Sequence, residues 1–244
     1  MKKSTGRKIR FGLFIAVLGL FLGGWLFLRA NTYAPTPNAQ AISETSQETS
    51  EYYLFEAPAE SEQNLLFYPG ALVEPASYSV WAQQVAAAGY NVYLLKMPLN
   101  LAVFGKNAAQ KIIARHPEET YVLAGHSLGG VMASRFVAEH VKEVAGMIYM
   151  ASYPDQKGSL AKSSLPVLSL AASKDGLVQA ADLTEAQQYL PEQTQYEVIT
   201  GGNHAGFGSY GAQKKDGRAR ITNQEQQEII GHLIVQWLQT NIPA

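Results

Sequence analysis

The stretch that decides the fold is Tyr121-Val122-Leu123-Ala124-Gly125-His126-Ser127-Leu128-Gly129-Gly130. Its first residues form a short apolar run that reads as a buried strand. Leu128–Val141 follows with Met132, Phe136 and His140 four apart, the spacing of a helix. Between them lies Gly-x-Ser-x-Gly, in a strand–turn–helix setting. So tight a reversal holds its central residue in a strained backbone, and Gly125 and Gly129 lack the Cβ atoms that would collide there. Ser127 is therefore expected at the carboxyl end of the strand, beside the free N–H groups that open a helix.

The pattern repeats on either side. Leu65–Tyr68, Asn91–Met97, Val144–Ser152, Val167–Ala172 and Tyr196–Thr200 read as further strands. Ser77–Ala88, Leu101–Arg115, Leu183–Leu190 and Glu225–Thr240 carry helical spacing. Continuous apolar strands alternating with helices predict an α/β fold: a doubly wound, mostly parallel sheet of about six to seven strands, covered on both faces. In such sheets ligands sit beyond the carboxyl ends of the strands.

A serine hydroxyl at that edge needs a base, and a histidine oriented by a carboxylate supplies one. Three histidines follow Ser127. His140 and His232 fall inside helical patterns and read as solvated or structural. His204 lies in the glycine-rich Gly201-Gly202-Asn203-His204-Ala205-Gly206 just after a strand. Of the three aspartates between Ser127 and His204, Asp175 follows the strand Val167–Ala172 and is preferred. Asp182 reads as a helix N-cap with Glu185 at the capping-box position, and Asp155 is the reserve. The oxyanion donors are expected to be the amides of Leu128 and, in the loop after the first strand, Ala71, with Leu72 as the alternative. Glu74 and Lys96 lie near the same rim and are possible substrate-site residues. Lys214, Lys215, Arg218 and Arg220 read as a solvated loop.

Together these residues resemble the α/β-hydrolase superfamily. Tyr68-Pro69-Gly70-Ala71, Leu95-Lys96-Met97-Pro98-Leu99-Asn100-Leu101 and Gly202-Asn203-His204 with Tyr210-Gly211 resemble its small lidless, dienelactone-hydrolase-like fold-5 branch, over residues 52–241. The resemblance implies a serine hydrolase that cleaves a carboxylic ester or related acyl bond in a small-molecule substrate. Catalysis would run through Ser127, His204 and Asp175 and an acyl-enzyme. An acyltransferase with the same triad and a non-catalytic anchored binding domain are the alternatives. Dienelactone hydrolases proper use a cysteine nucleophile. The chain has no cysteine, so that substrate does not carry over. The absence of cysteine also excludes disulfides and thiolate-bound metals, and no metal-ligand or phosphate-loop pattern occurs, so no cofactor is expected. The stretch Tyr153–Pro166, where relatives carry a lid, is short.

The N-terminus reads differently. Phe11–Leu28 is an unbroken apolar run that as a helix would span about 27 Å, near the ~30 Å of a bilayer core. Six bases and no acid lie in residues 1–30, five of them before the run. The positive-inside rule then holds a basic segment, 1–10, in the cytoplasm, with 11–28 a transmembrane signal-anchor in the lipid bilayer and the rest outside. A cleaved, secreted form is the rival reading. Residues 29–51 are polar and Pro-, Ser- and Thr-containing and are expected to be a flexible linker to a hydrolase domain at 52–244. Of the chain's 19 bases, thirteen remain after residue 30 against 20 acids. That acidic balance argues against a nucleic-acid partner.

Overall fold

The computed structural model describes residues 3–242, with side chains at all of these except 3–12, 14–16 and 21. The chain divides into two compact units, Met1–Thr32 and Tyr33–Ala244.

The first unit is one helix, α1 (Lys3–Ala30). Leu13, Leu18, Leu20, Leu22, Leu26 and Phe27 are each more than half exposed. Among the described residues no helix is long and apolar enough to cross a membrane. The side chains of six residues of the apolar run, at 11, 12, 14–16 and 21, and all those of the basic segment 1–10 lie outside the described ones.

The second unit is built on one eight-stranded sheet. Its strands are β1 (Gln47–Glu48), β2 (Tyr52–Phe55), β3 (Gln63–Tyr68), β4 (Asn91–Leu95), β5 (Thr120–His126), β6 (Gly146–Met150), β7 (Val167–Ala172) and β8 (Gln195–Ile199). The order is β1-β2-β4-β3-β5-β6-β7-β8. From β4 to β8 all pairings are parallel; β1 and β2 add an antiparallel edge. That edge accounts for the excess over the six or seven strands expected, because Tyr-Tyr-Leu-Phe carries no clear alternation.

Side chains alternate across the sheet, as strand geometry requires. Leu65 and Phe67 enter one core with Trp81 and Val85 of α3 (Ser79–Ala87) and Ile230, Ile234 and Trp237 of α7 (Asn223–Asn241). Leu66 and Tyr68 enter the other, with Ile112 and Ile113 of α4 (Ala108–Ile113) and Met132 and Phe136 of α5 (Leu128–Glu139). Each large side chain so buried contributes about 1.5–3 kcal/mol. The helix expected over Leu101–Arg115 is broken. A 3₁₀ turn, Ala102–Phe104, precedes α4, and Gly105 between them packs so closely on Met97 that a Cβ would meet its Sδ.

Residues 29–51 are not the loose tether expected. From Tyr33 they fold onto the second unit. Tyr33 bridges to Val73, and its N–H donates to Leu72 O at 2.7 Å. Thr36 caps α2 (Pro37–Ser43), with Pro37 in the first turn, where its missing N–H costs nothing. Ala39 is fully buried, and Ser79 Oγ donates to its carbonyl at 2.5 Å. Small residues let this helix pack closely, so little apolar bulk was needed to anchor it.

The chain runs from β3 out to β4 and returns to β5 on the opposite side of β3. The strand order thus reverses between β3 and β5, where ligand crevices form in open α/β sheets. Tyr68 pairs with Gly125 there, which sets the loop after β3 beside the turn after β5.

Candidate active site

Ser127 sits in that turn with φ 51° and ψ −126°, a conformation non-glycine residues rarely adopt. Its surroundings hold it there. Its N–H donates to Met150 O at 3.0 Å, and Ser152 Oγ donates to its carbonyl at 2.6 Å. A Cβ at Gly125 would lie 2.5 Å from Gly130 N. One at Gly129 would overlap the carbonyl oxygens of Tyr68 and Pro69, so the α5 N-terminus touches the loop after β3.

That loop leaves one amide open. Gly70 N–H donates to Tyr78 Oη at 3.0 Å, and Leu72 N–H donates to Asn100 O at 2.7 Å. Among the described residues Ala71 N–H has no acceptor. Leu72, the alternative donor, is thus already committed, and it turns the chain with a positive φ of 57°. Leu128 opens α5, and the first amides of a helix have no intrahelical acceptor.

His204 lies after β8 and is 1% exposed; Asp175 lies after β7, at 5%. His204 Nδ1 lies 2.8 Å from Asp175 Oδ2, and with Nδ1–H donating to that carboxylate, Nε2 is the ring nitrogen left to accept. The other carboxylate oxygen, Oδ1, accepts the N–H groups of Leu177 and Val178, both at 2.8 Å. The turns are strapped together: Lys174 N–H donates to Gly202 O and Gly201 N–H to Ser173 Oγ, both at 2.8 Å. The His204 ring packs on that of His126, centroids 4.5 Å apart, and His126 directly precedes Ser127. No hydrogen bond joins Ser127 Oγ to His204 among the described residues.

His126 belongs to a relay the sequence did not point to. Gly70 N–H donates to Tyr78 Oη, and the Tyr78 hydroxyl donates to His126 Nδ1 at 2.9 Å. Burial, reinforced by the charge of neighbouring His204, holds the His126 pKa well below the usual imidazole value, so its ring is neutral. Burial likewise pushes the Tyr78 hydroxyl up, so it keeps the proton it donates. The signal available was His126 itself, a titratable side chain inside a glycine-rich turn.

The remaining candidates lie elsewhere. Lys96 is not free for a substrate. Its ammonium bonds Glu48 Oε1 and Thr49 O, both at 2.6 Å, and stands 4.2 Å from the Tyr53 ring centroid. The strand β1, unforeseen, supplies that partner. Glu74 is half-buried at the start of the 3₁₀ turn Pro75–Tyr78 and makes no side-chain cap. Asp155 is taken by Arg135 and by the amide of Gly158. Asp182 is not the N-cap of α6 (Ala180–Ala186): Gln179 is, and Asp182 completes the capping box from the third position. His140 stacks on Phe136, and His232 faces outward. Lys214, Lys215, Arg218 and Arg220 are exposed, but Asp216 between them turns inward onto the turns that carry Asp175 and His204.

A strained serine at a sheet's switch point, with a carboxylate–imidazole pair on adjoining strand ends, defines an α/β hydrolase architecture. The model of the alpha/beta hydrolase family matches residues 64–228, and the chain belongs to that family. No curated protein matches the sequence. Among solved structures it is similar in fold to an esterase domain from Rhodothermus marinus (TM-score 0.61, 13% identity, covering 79% of this chain and 93% of that one). It is also similar to MenH from S. aureus (0.59, 12%, 80% and 100%). A soluble variant of monoglyceride lipase from Saccharomyces cerevisiae is a third (0.60, 10%, 81% and 94%).

Proposed function

We propose that the protein is a serine hydrolase that cleaves a carboxylic ester or related acyl bond through an acyl-enzyme. The observation that carries this reading is the buried 2.8 Å bond from His204 to Asp175, with the His204 ring packed beside the turn that presents Ser127. In the first half-reaction Ser127 Oγ attacks the carbonyl carbon while His204 Nε2 takes its proton. Asp175 holds the imidazole in the required tautomer and stabilises the imidazolium. The amides of Leu128 and Ala71 bind the oxyanion. His204 then protonates the leaving alcohol, and in the second half-reaction it deprotonates the water that releases the acid. The esterase and lipase among the fold neighbours are compatible with this chemistry.

The test is covalent labelling with a fluorophosphonate. Wild type takes up one equivalent, Ser127→Ala none, and hydrolysis of p-nitrophenyl acetate falls by about 10⁴-fold or more in the variant. Equal labelling of Ser127→Ala rejects the assignment.

The same reading includes anchoring of the chain to a bilayer by residues 11–28, with the hydrolase unit outside. Its support is the apolar run behind five bases and the exposed leucines of α1. Full-length protein is expected in the membrane pellet after an alkaline carbonate wash. Recovery in the supernatant rejects the anchor without touching the chemistry.

A further inference from the structure

Asp216 lies in the loop between the His204 segment and α7, after Lys214 and Lys215, yet its carboxylate accepts four backbone N–H groups. Oδ1 takes those of Gly176 at 3.0 Å, His204 at 3.3 Å and Gly217 at 2.7 Å; Oδ2 takes that of Ala205 at 2.8 Å. Gly176 follows Asp175 in the acid turn, and His204 and Ala205 form the base turn. One carboxylate therefore grips both turns, next to Asp175 in one and at His204 itself in the other.

The surroundings leave this loop little choice of position. A Cβ at Gly217 would overlap the carbonyl oxygen of Lys174, and one at Gly176 would lie 2.5 Å from Gly217 N. Asn203 closes the other side, its Nδ2 donating to Gly217 O at 2.8 Å while its Oδ1 accepts Gly206 N–H at 2.9 Å. Two close approaches without side chains, with the Asp216 carboxylate accepting the amides of both Gly176 and Gly217, describe a fitted joint rather than a solvated loop.

We propose that Asp216 is a positioning residue: it locks the acid turn to the base turn, and so fixes the His204 imidazole relative to Ser127. It touches neither substrate nor reacting atoms. Charge-assisted bonds to N–H groups are the stronger class, and an error of about 1 Å in a catalytic group costs up to about 100-fold in rate. An asparagine keeps the shape but turns a donor toward amides that are themselves donors. The inference rests on the serine-hydrolase reading for its kinetic consequence, although the bonds themselves do not.

The experiment is Asp216→Asn in the full chain, with kcat expressed per fluorophosphonate-titrated site. The expectation is a kcat lower by about 10- to 100-fold with KM within about twofold, since ground-state binding is untouched. The split between kcat and KM is the readout that a merely structural role would not move. A purely structural role lowers the titratable fraction but leaves kcat per site unchanged, and that result overturns the proposal. If the variant does not fold, amide hydrogen exchange on the wild type decides. The amides of Gly176, His204 and Ala205 are expected to be protected together, and fast exchange at them overturns the proposal. An inactive Ser127→Ala beside an unaffected Asp216→Asn sinks this inference alone, whereas an active Ser127→Ala sinks the reading beneath it.

Discussion

The imidazoles of His126 and His204 lie against each other, centroids 4.5 Å apart and planes at 45°. Both side chains are buried. His126, fully buried between Tyr78 and His204, has its pKa pushed well below 6.5 by burial and by that neighbour. Asp175 is bonded to His204 in the same cluster, and the Asp216 carboxylate accepts the His204 backbone N–H.

From this follows a pH dependence of stability. As pH falls below about 6.5, the unfolded chain takes up a proton at His126 that the folded chain refuses. Stability is thus fully present above that pH and is lost below it, by at most about 1.4 kcal/mol per pH unit. His126→Asn keeps an acceptor for Tyr78 and removes the titration. Urea unfolding at several values between pH 5 and 6.5, above the carboxylate range, should give a shallower slope in the variant. Identical slopes would refute the assignment.

Gly129→Ala tests the contact between α5 and the loop after β3. The new methyl would overlap two carbonyl oxygens, Tyr68 and Pro69, neither of which is the end of a flexible side chain. Relief requires moving backbone that leads to Ala71. We expect destabilisation of about 3 kcal/mol, read as a lower urea midpoint, together with loss of esterase activity in the fraction that remains folded.

What the sequence disclosed and what it hid divide by the range of the signal. Strand runs such as Leu65–Tyr68 and the turn Gly125–Gly130 carry their geometry locally, so the sheet and the elbow were legible. Asp175 and His204 were legible as polar residues at strand ends, which the topology then set side by side. Asp216 was not, because three of its four amide partners lie in two other loops and the loop around it is basic. The residues from Tyr33 to Ser43 were hidden for a different reason. Their polar, small side chains look like a linker, and only the burial of Ala39 against α3 reveals a packed element. Lys96 misled because its partner, Glu48, belongs to a two-residue strand with no pattern of its own.

Tyr78→Phe tests the relay. It removes the acceptor of Gly70 N–H and the donor to His126 Nδ1, leaving two buried polar groups unpaired at about 1–3 kcal/mol each. Because Gly70 precedes Ala71, the open amide of that loop should also be less well aimed. With p-nitrophenyl acetate, kcat is expected to fall about tenfold while KM changes little, the pattern of a lost transition-state contact. A thermal shift without any change in kcat would confine Tyr78 to packing.

The exposed apolar residues after β4 offer a test of acyl-chain preference. The segment after β4 leaves Leu99, Val103 and Phe104 at 48%, 46% and 62% exposure. It is tied to the loop after β3 through the bond from Leu72 N–H to Asn100 O, and its 3₁₀ turn packs on α5. An apolar acyl chain extending from Ser127 toward this side would cover Phe104, and covering a fraction of a phenyl ring contributes about 1.4 kcal/mol, a factor of about ten. Phe104→Ser should leave stability within about 0.5 kcal/mol, since an exposed side chain has little packing to lose. It should lower kcat/KM for p-nitrophenyl octanoate about tenfold while sparing the acetate, whose methyl is too short to arrive there. Equal losses on both esters would mean that the substitution disturbs the loop after β3 rather than a surface for the chain. No loss on either would place the acyl group on another wall.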